Sequence, residues 1–164
     1  FVIFQSVLAV SKIKKSVNKL IQIENKAKLN SKKTLNDFQK RVVKNRLQLI
    51  SLLTKLKNQN KKIIALSAPA KGMTLLNYLK LDQDYLDYAT EKSKIKQGLF
   101  TPGVNIPVYS DSKILKTKPH YALLLAWNFS AEIIKNNLKY LQKGGKFIIP
   151  IPKVKIISKY NEKN

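Results

Sequence analysis

The 164 residues suffice for one domain with a real core plus a helical appendage, and are too few for two full enzyme domains. Hydrophobic residues make up 44% of the chain, so it reads as folded, and no apolar run approaches the length of a membrane span. There is no cysteine and the sole histidine is His120, which excludes disulfides, thiolate metal sites and a histidine metal cluster and fits a cytoplasmic setting. The formal net charge of +23 points by itself to nucleic acid, since clustered cations gain affinity by displacing counterions. Its make-up argues the other way: Arg41 and Arg46 are the only arginines and the lysines are spread over the whole chain. Phosphate and base recognition leans instead on the planar guanidinium fork. A solvated lysine-rich surface is the plainer reading.

In chain order, FVIFQSV (1–7) reads as a short apolar strand rather than a signal peptide, for which a basic leader and a small-residue cleavage site would be expected. Ile13, Val17, Leu20 and Ile21 recur at helical spacing between Ser11 and Leu29. A longer helix is expected from Thr34, whose hydroxyl is placed to cap it, with Asp37 favouring the positive end of its dipole. Its stripe is Phe38, Val42, Leu49, Leu53 and Leu56, and it should stop in the polar residues 58–60. Beyond residue 61, short β-like runs alternate with helical patterns. Strands are expected at 62–66, 85–90, 120–127 and 146–151, and helices at 70–80, 110–116 and 129–145, the last ended by Gly144 and Gly145. Such alternation predicts an α/β fold: a Rossmann-like parallel sheet with helices on both faces, preceded by a helical connector.

Ligands of parallel α/β sheets gather outside the carboxyl ends of the strands, which selects the residues just after each one. After the first core strand, Ala68, Pro69, Ala70, Lys71 and Gly72 combine small side chains, a helix start and one ammonium. That pattern suits an anionic ligand and suits a tight helix-opening turn equally well; it is neither GxGxxG nor a Walker loop. Glu91 stands where dinucleotide folds place an acid on a ribose hydroxyl, or is a surface acid beside Lys92. KQGLFTPGVNIP (96–107), with Lys96, Gln97 and Gly98, is a structured loop over a site or an ordinary connection. Trp127 and Asn128 follow the most apolar strand, where an indole stacks on a base or closes the core. IPIPK follows the last strand, and His120 begins its strand at the opposite, amino end.

Four ordered blocks, SAPAKGMTLLNY, KQGLFTPGVNIPV, PHYALLLAWNFSAEI and GGKFIIPIP, together resemble the C-terminal domain of the sugar C-methyltransferases. These enzymes use S-adenosylmethionine (SAM) to methylate a carbon of a nucleotide-linked deoxyketosugar. The resemblance implies three parts: an amino-terminal zinc domain built on cysteines, a central SAM-binding domain with the His and Tyr acid-base residues, and this Rossmann-like domain, which helps bind the nucleotide sugar. It implies that residues 1–8 are the last strand of the SAM domain, 9–60 a helical connector, 61–158 the substrate domain and 159–164 a tail. Zinc, most of the SAM site and the catalytic residues are then expected upstream of Phe1, and the 164 residues alone are expected to be inactive. The substrate-binding candidates are Ala68, Pro69, Ala70, Lys71, Gly72, Asn77, Glu91, Lys96, Gln97, Gly98, Trp127 and Asn128. The expected partners are the nucleotide sugar and the SAM-binding domain, and neither a membrane nor nucleic acid. Three departures stand out: the family usually has glycines around Ala65, Leu66 and Ser67, an Asp where Glu91 stands, and a smaller polar residue in place of Met73. On the residues alone, a nucleotide-binding module without catalysis and a basic nucleic-acid-binding domain remain as alternatives.

Overall fold

A computed structural model describes residues 15–159, and the expected strand 1–7 lies outside them. The elements are α1 (Lys15–Lys26), α2 (Lys32–Asn58), β1 (Ile63–Leu66), α3 (Ala70–Leu79), β2 (Ala89–Glu91) and β3 (Val108–Ser110). They continue with α4 (Lys113–Thr117), β4 (Tyr121–Leu124), a 3-10 turn (Trp127–Phe129), α5 (Ser130–Asn136), α6 (Leu138–Gln142), β5 (Lys146–Ile149) and β6 (Lys155–Ile157). The chain falls into two compact units, one up to Val42 and one from Val43 onward.

In the first unit, α1 buries no residue, and Val17, Leu20 and Ile21 are exposed. Ser31, not Thr34, caps α2: its Oγ accepts the Thr34 amide at 3.1 Å. Asp37 therefore lies beyond the first turn, where the dipole has largely decayed. Phe38 is exposed, with the Arg41 guanidinium over its ring.

The second unit is a six-stranded sheet in the order β3-β2-β1-β4-β5-β6, parallel throughout except for β6, which pairs antiparallel with β5. Alternation along β1 assigns its two faces. Ile63 and Ala65 pack with Leu49, Leu53 and Leu56 of α2 and Leu75, Leu76 and Leu79 of α3. Ile64 and Leu66 pack with Ile114 of α4 and Tyr140 and Leu141 of α6. Each fully buried leucine contributes about 1.5–3 kcal/mol relative to exposure, so the stripe that begins at Leu49 is what fixes the carboxyl half of α2 to the sheet. Asn45 adds a hydrogen bond of 2.8 Å to the Pro150 carbonyl.

Three expected elements are cut differently by side chains and turns, and two strands are added. The strand expected at 85–90 starts later, because Asp82 captures the preceding residues in a turn, accepting the Tyr85 and Leu86 amides on its carbonyl and the Asp84 amide on its carboxylate. The strand expected at 120–127 ends at Leu124, and Trp127 already belongs to the 3-10 turn. The helix expected at 129–145 is broken at Asn137, whose Nδ2 donates to the Ile133 carbonyl at 2.8 Å and competes with the helical backbone. β3 and β6 are too short to show a period in the sequence.

Candidate functional site

Because β1 to β5 run parallel, the segments after β1, β2, β3, β4 and β5 emerge at one edge. β1 and β4 are neighbours, and their connections leave to opposite faces, since α3 packs with one core cluster and Ile133 and Ile134 of α5 with the other. This is the topological switch point, where a crevice opens in sheets of this order. Of the segments selected from the sequence, 67–72 and 127–128 flank it directly, with 91–98 beside them after β2.

The loop after β1 is tight. Ser67 has φ 71°, the left-handed region that glycine occupies without strain. A Cβ on Gly72 would lie 2.7 Å from the Leu125 Cβ, so this glycine lets the first turn of α3 approach the end of β4; its role is packing. Pro69 precedes the helix in extended conformation, and its carbonyl accepts the Gly72 and Met73 amides. Met73 is buried in the core.

Glu91 is the centre of a network that holds this loop. Its Oε2 accepts the Ala68 amide at 3.2 Å and the Lys96 ammonium at 3.4 Å, and its Oε1 accepts the Lys92 and Ser93 amides at 2.9 and 3.2 Å. Lys96 also donates to the Ala68 carbonyl at 3.0 Å. Burial alone would raise the Glu91 carboxyl, but the Ser93 and Ala68 amides and the Lys96 charge together hold it below the usual glutamate range. Gln97 Nε2 donates to the Glu91 and Lys92 carbonyls at 2.8 and 3.3 Å. Glu91, Lys96 and Gln97 thus join the end of β2 to the loop after β1, and their polar groups serve that join.

The segment 96–107 is ordered. Gly98, at φ 82°, donates to the Val108 carbonyl, and Phe100 bridges Pro107 in antiparallel fashion. The buried Thr101 accepts the Ile106 amide on its Oγ1. Asn77 of α3 clasps this segment, its Nδ2 donating to the Pro102 carbonyl at 3.0 Å and to its own helix at Met73 at 2.8 Å. Its amide oxygen fills the space that a Cβ on Gly103 would need.

Lys71 stands apart from this bonding. Its ammonium lies 4.7 Å from the Trp127 ring centroid and 5.7 Å from that of Phe129. Among the described residues it has no carboxylate partner; the ion pairs there are Lys57 with Asp87 and Lys96 with Glu91. Trp127 is half-buried against the core, and Asn128 and Phe129 are exposed beside it. Ala70, at the start of α3, is exposed too.

Sequence reasoning missed Thr90 and Asp111. Thr90 Oγ1 in the middle of β2 and Asp111 Oδ1 directly after β3 are buried, and neither has a partner in good hydrogen-bond geometry. Burial pushes the Asp111 carboxyl above its ordinary range, against the pull of the adjacent Thr90 hydroxyl and of Lys92. The signal was the acid directly after a strand, hidden because β3 itself was not legible. His120 lies at the opposite end of the sheet, where its Nδ1 accepts the Lys62 amide at 2.9 Å. It lines a shallow depression there with Pro119, Tyr140 and Gly144. Among the described residues no three His, Asp or Glu side chains are grouped to hold a metal ion, and no helix is long and apolar enough to cross a membrane.

A doubly wound domain with a ligand-type edge at its switch point is the class these observations define. Residues 2–152 match the C-methyltransferase C-terminal domain family, and the chain belongs to it. It is 36% identical over 113 residues to the C-methyltransferase NovU of Streptomyces niveus. That alignment covers 69% of this chain and 27% of the relative, so the chain spans about a quarter of the relative's length.

Proposed function

We propose that residues 61–158 are the substrate-side domain of a SAM-dependent C-methyltransferase acting on a nucleotide-linked deoxyketosugar in the cytoplasm, with 9–60 as its helical connector. On this reading residues 1–8 are a strand of the SAM-binding domain and 159–164 a tail. Family membership and the likeness to a C-methyltransferase support the reaction class. The observation that carries a nucleotide role is Lys71, an ammonium that has no carboxylate partner among the described residues and lies beside Trp127 at the switch point. Lys71 meets the diphosphate of the ligand, with Ala70, Trp127 and Asn128 around it. Glu91, Lys96, Gln97 and Asn77 contribute by holding the loops, with Ala68, Pro69, Gly72 and Gly98 supplying the backbone shape.

Neither SAM nor zinc fits these residues. There is no cysteine, no metal-type cluster occurs among the described residues, and the carboxylate at the end of β2 is engaged by the Ala68, Lys92 and Ser93 amides rather than free for a ribose. Both cofactors are bound elsewhere, and no chemical step is given to this domain. A nucleoside diphosphate that binds only the folded chain raises its melting midpoint, by about 2.7 kcal/mol of stability at a hundredfold excess over Kd. Thermal shift and calorimetry with dTDP, dUDP and GDP test the reading; the absence of both shift and heat at millimolar nucleotide overturns it. The chain alone is expected to transfer no methyl group from SAM to a nucleotide ketosugar.

A further inference from the structure

We propose that Trp127 and Phe129 form a ring-binding subsite that the Lys71 ammonium covers, and that an anionic ligand opens it by drawing this ammonium away. The proposal rests on the nucleotide reading above and adds how the ligand is recognised. Among the described residues Lys71 is held by the faces of the two rings alone, at 4.7 and 5.7 Å, whereas Lys96 at the same edge is tied to a carboxylate and a carbonyl. A cation on an exposed ring face is a weak contact, and a phosphate offers it charge together with hydrogen bonds. The ammonium therefore exchanges its rings for the phosphate.

What it leaves behind is specific. Phe129 is 58% exposed despite being aromatic, and Trp127 rests on the core with one side while its remainder meets the crevice edge. Vacated faces of this kind stack a planar base or the apolar face of a sugar. The fitting ligand carries a diphosphate and a ring within one molecule, as a nucleoside diphosphate does. Inorganic pyrophosphate engages Lys71 but leaves the rings empty, and a free nucleoside has to compete with the ammonium.

Trp127 is the only tryptophan in the chain, so indole emission reports this subsite directly. The test titrates dTDP, pyrophosphate and thymidine into the wild-type chain, Lys71→Ala and Phe129→Ala, by calorimetry and by tryptophan fluorescence. Expected are a change in emission that tracks dTDP heat, and dTDP binding about tenfold weaker in Phe129→Ala with pyrophosphate unaffected. Lys71→Ala is expected to weaken dTDP and pyrophosphate but to bind thymidine more tightly than the wild type. Heat from dTDP with unchanged emission and an undiminished affinity in Phe129→Ala overturns this inference and leaves the nucleotide reading standing. No dTDP heat in any variant overturns both. Phe129 and Lys71 both lie outside the buried core, and circular dichroism melts confirm that the variants are folded.

Discussion

Ser67, Glu91 and Gly72 show how much of the site is backbone shape. An L-residue in the left-handed region costs about 1–2 kcal/mol, offset in part by the roughly 0.5–1 kcal/mol of chain entropy that glycine loses on folding. Ser67, at φ 71°, carries that cost, so Ser67→Gly is expected to stabilise the chain by up to about 1 kcal/mol. A lower urea midpoint in the variant would contradict it. This also explains the glycines expected from the resemblance: the fold needs a left-handed residue here whichever side chain fills the position. Glu91 has its folded carboxyl held below the ordinary range by amides and Lys96, against the opposing effect of burial. Its contribution is therefore present above the unfolded glutamate value, near about 4.3, and is lost as pH falls through the lower folded value. Glu91→Gln is expected to cost about 1–2 kcal/mol at pH 7, with the gap to wild type closing in acid. Unfolding curves at pH 7 and pH 3 measure this, and a gap that does not change with pH would show that charge is irrelevant at this position. The sequence singled out Glu91 and Lys96 by their position just after a strand, as candidates for binding substrate. That they bond to Ala68 rather than to solvent depends on the pairing of β1 with β2, which no local pattern encodes.

The elements that the sequence concealed are short or captured by side chains. β3 comprises Val108–Ser110 and β6 comprises Lys155–Ile157, too few residues for a period-2 signal to stand out. Asn137 splits one amphipathic pattern into α5 and α6 through its own side-chain bond, a choice invisible to hydrophobic spacing. By contrast β1, α3, β4 and β5 were legible because each combines a bounded apolar run with turn residues at its ends. The clasp between α3 and the segment 96–107 belongs to this scale. Removing it in Asn77→Ala is expected to accelerate amide exchange at Thr101 and Ile106 by roughly fivefold, on the order of the 1 kcal/mol worth of a net hydrogen bond. Amides of β1 and β4 should be unchanged, and equal acceleration across the sheet would mean that the loop has no independent opening.

Across the whole molecule the dominant quantity is charge. A formal +23 repels itself, and among the described residues only Lys57 with Asp87 and Lys96 with Glu91 form ion pairs. Screening at 0.15 M salt, with a Debye length of about 8 Å, should relieve this repulsion. The melting midpoint is accordingly expected to rise by several degrees between 10 and 150 mM sodium chloride, and a fall on adding salt would count against self-repulsion. Composition and periodicity alone pointed to an α/β chain with helices on both faces of a parallel sheet, because buried parallel strands and amphipathic helices each leave a local hydrophobic signature. Tertiary structure decided the antiparallel edge strand, the left-handed turn at Ser67, the engagement of Glu91 with the loop amides and the placing of Lys71 over Trp127. Each of these depends on groups far apart in the chain meeting at one edge of the sheet, and that meeting is fixed by strand order and register rather than by any neighbouring residue.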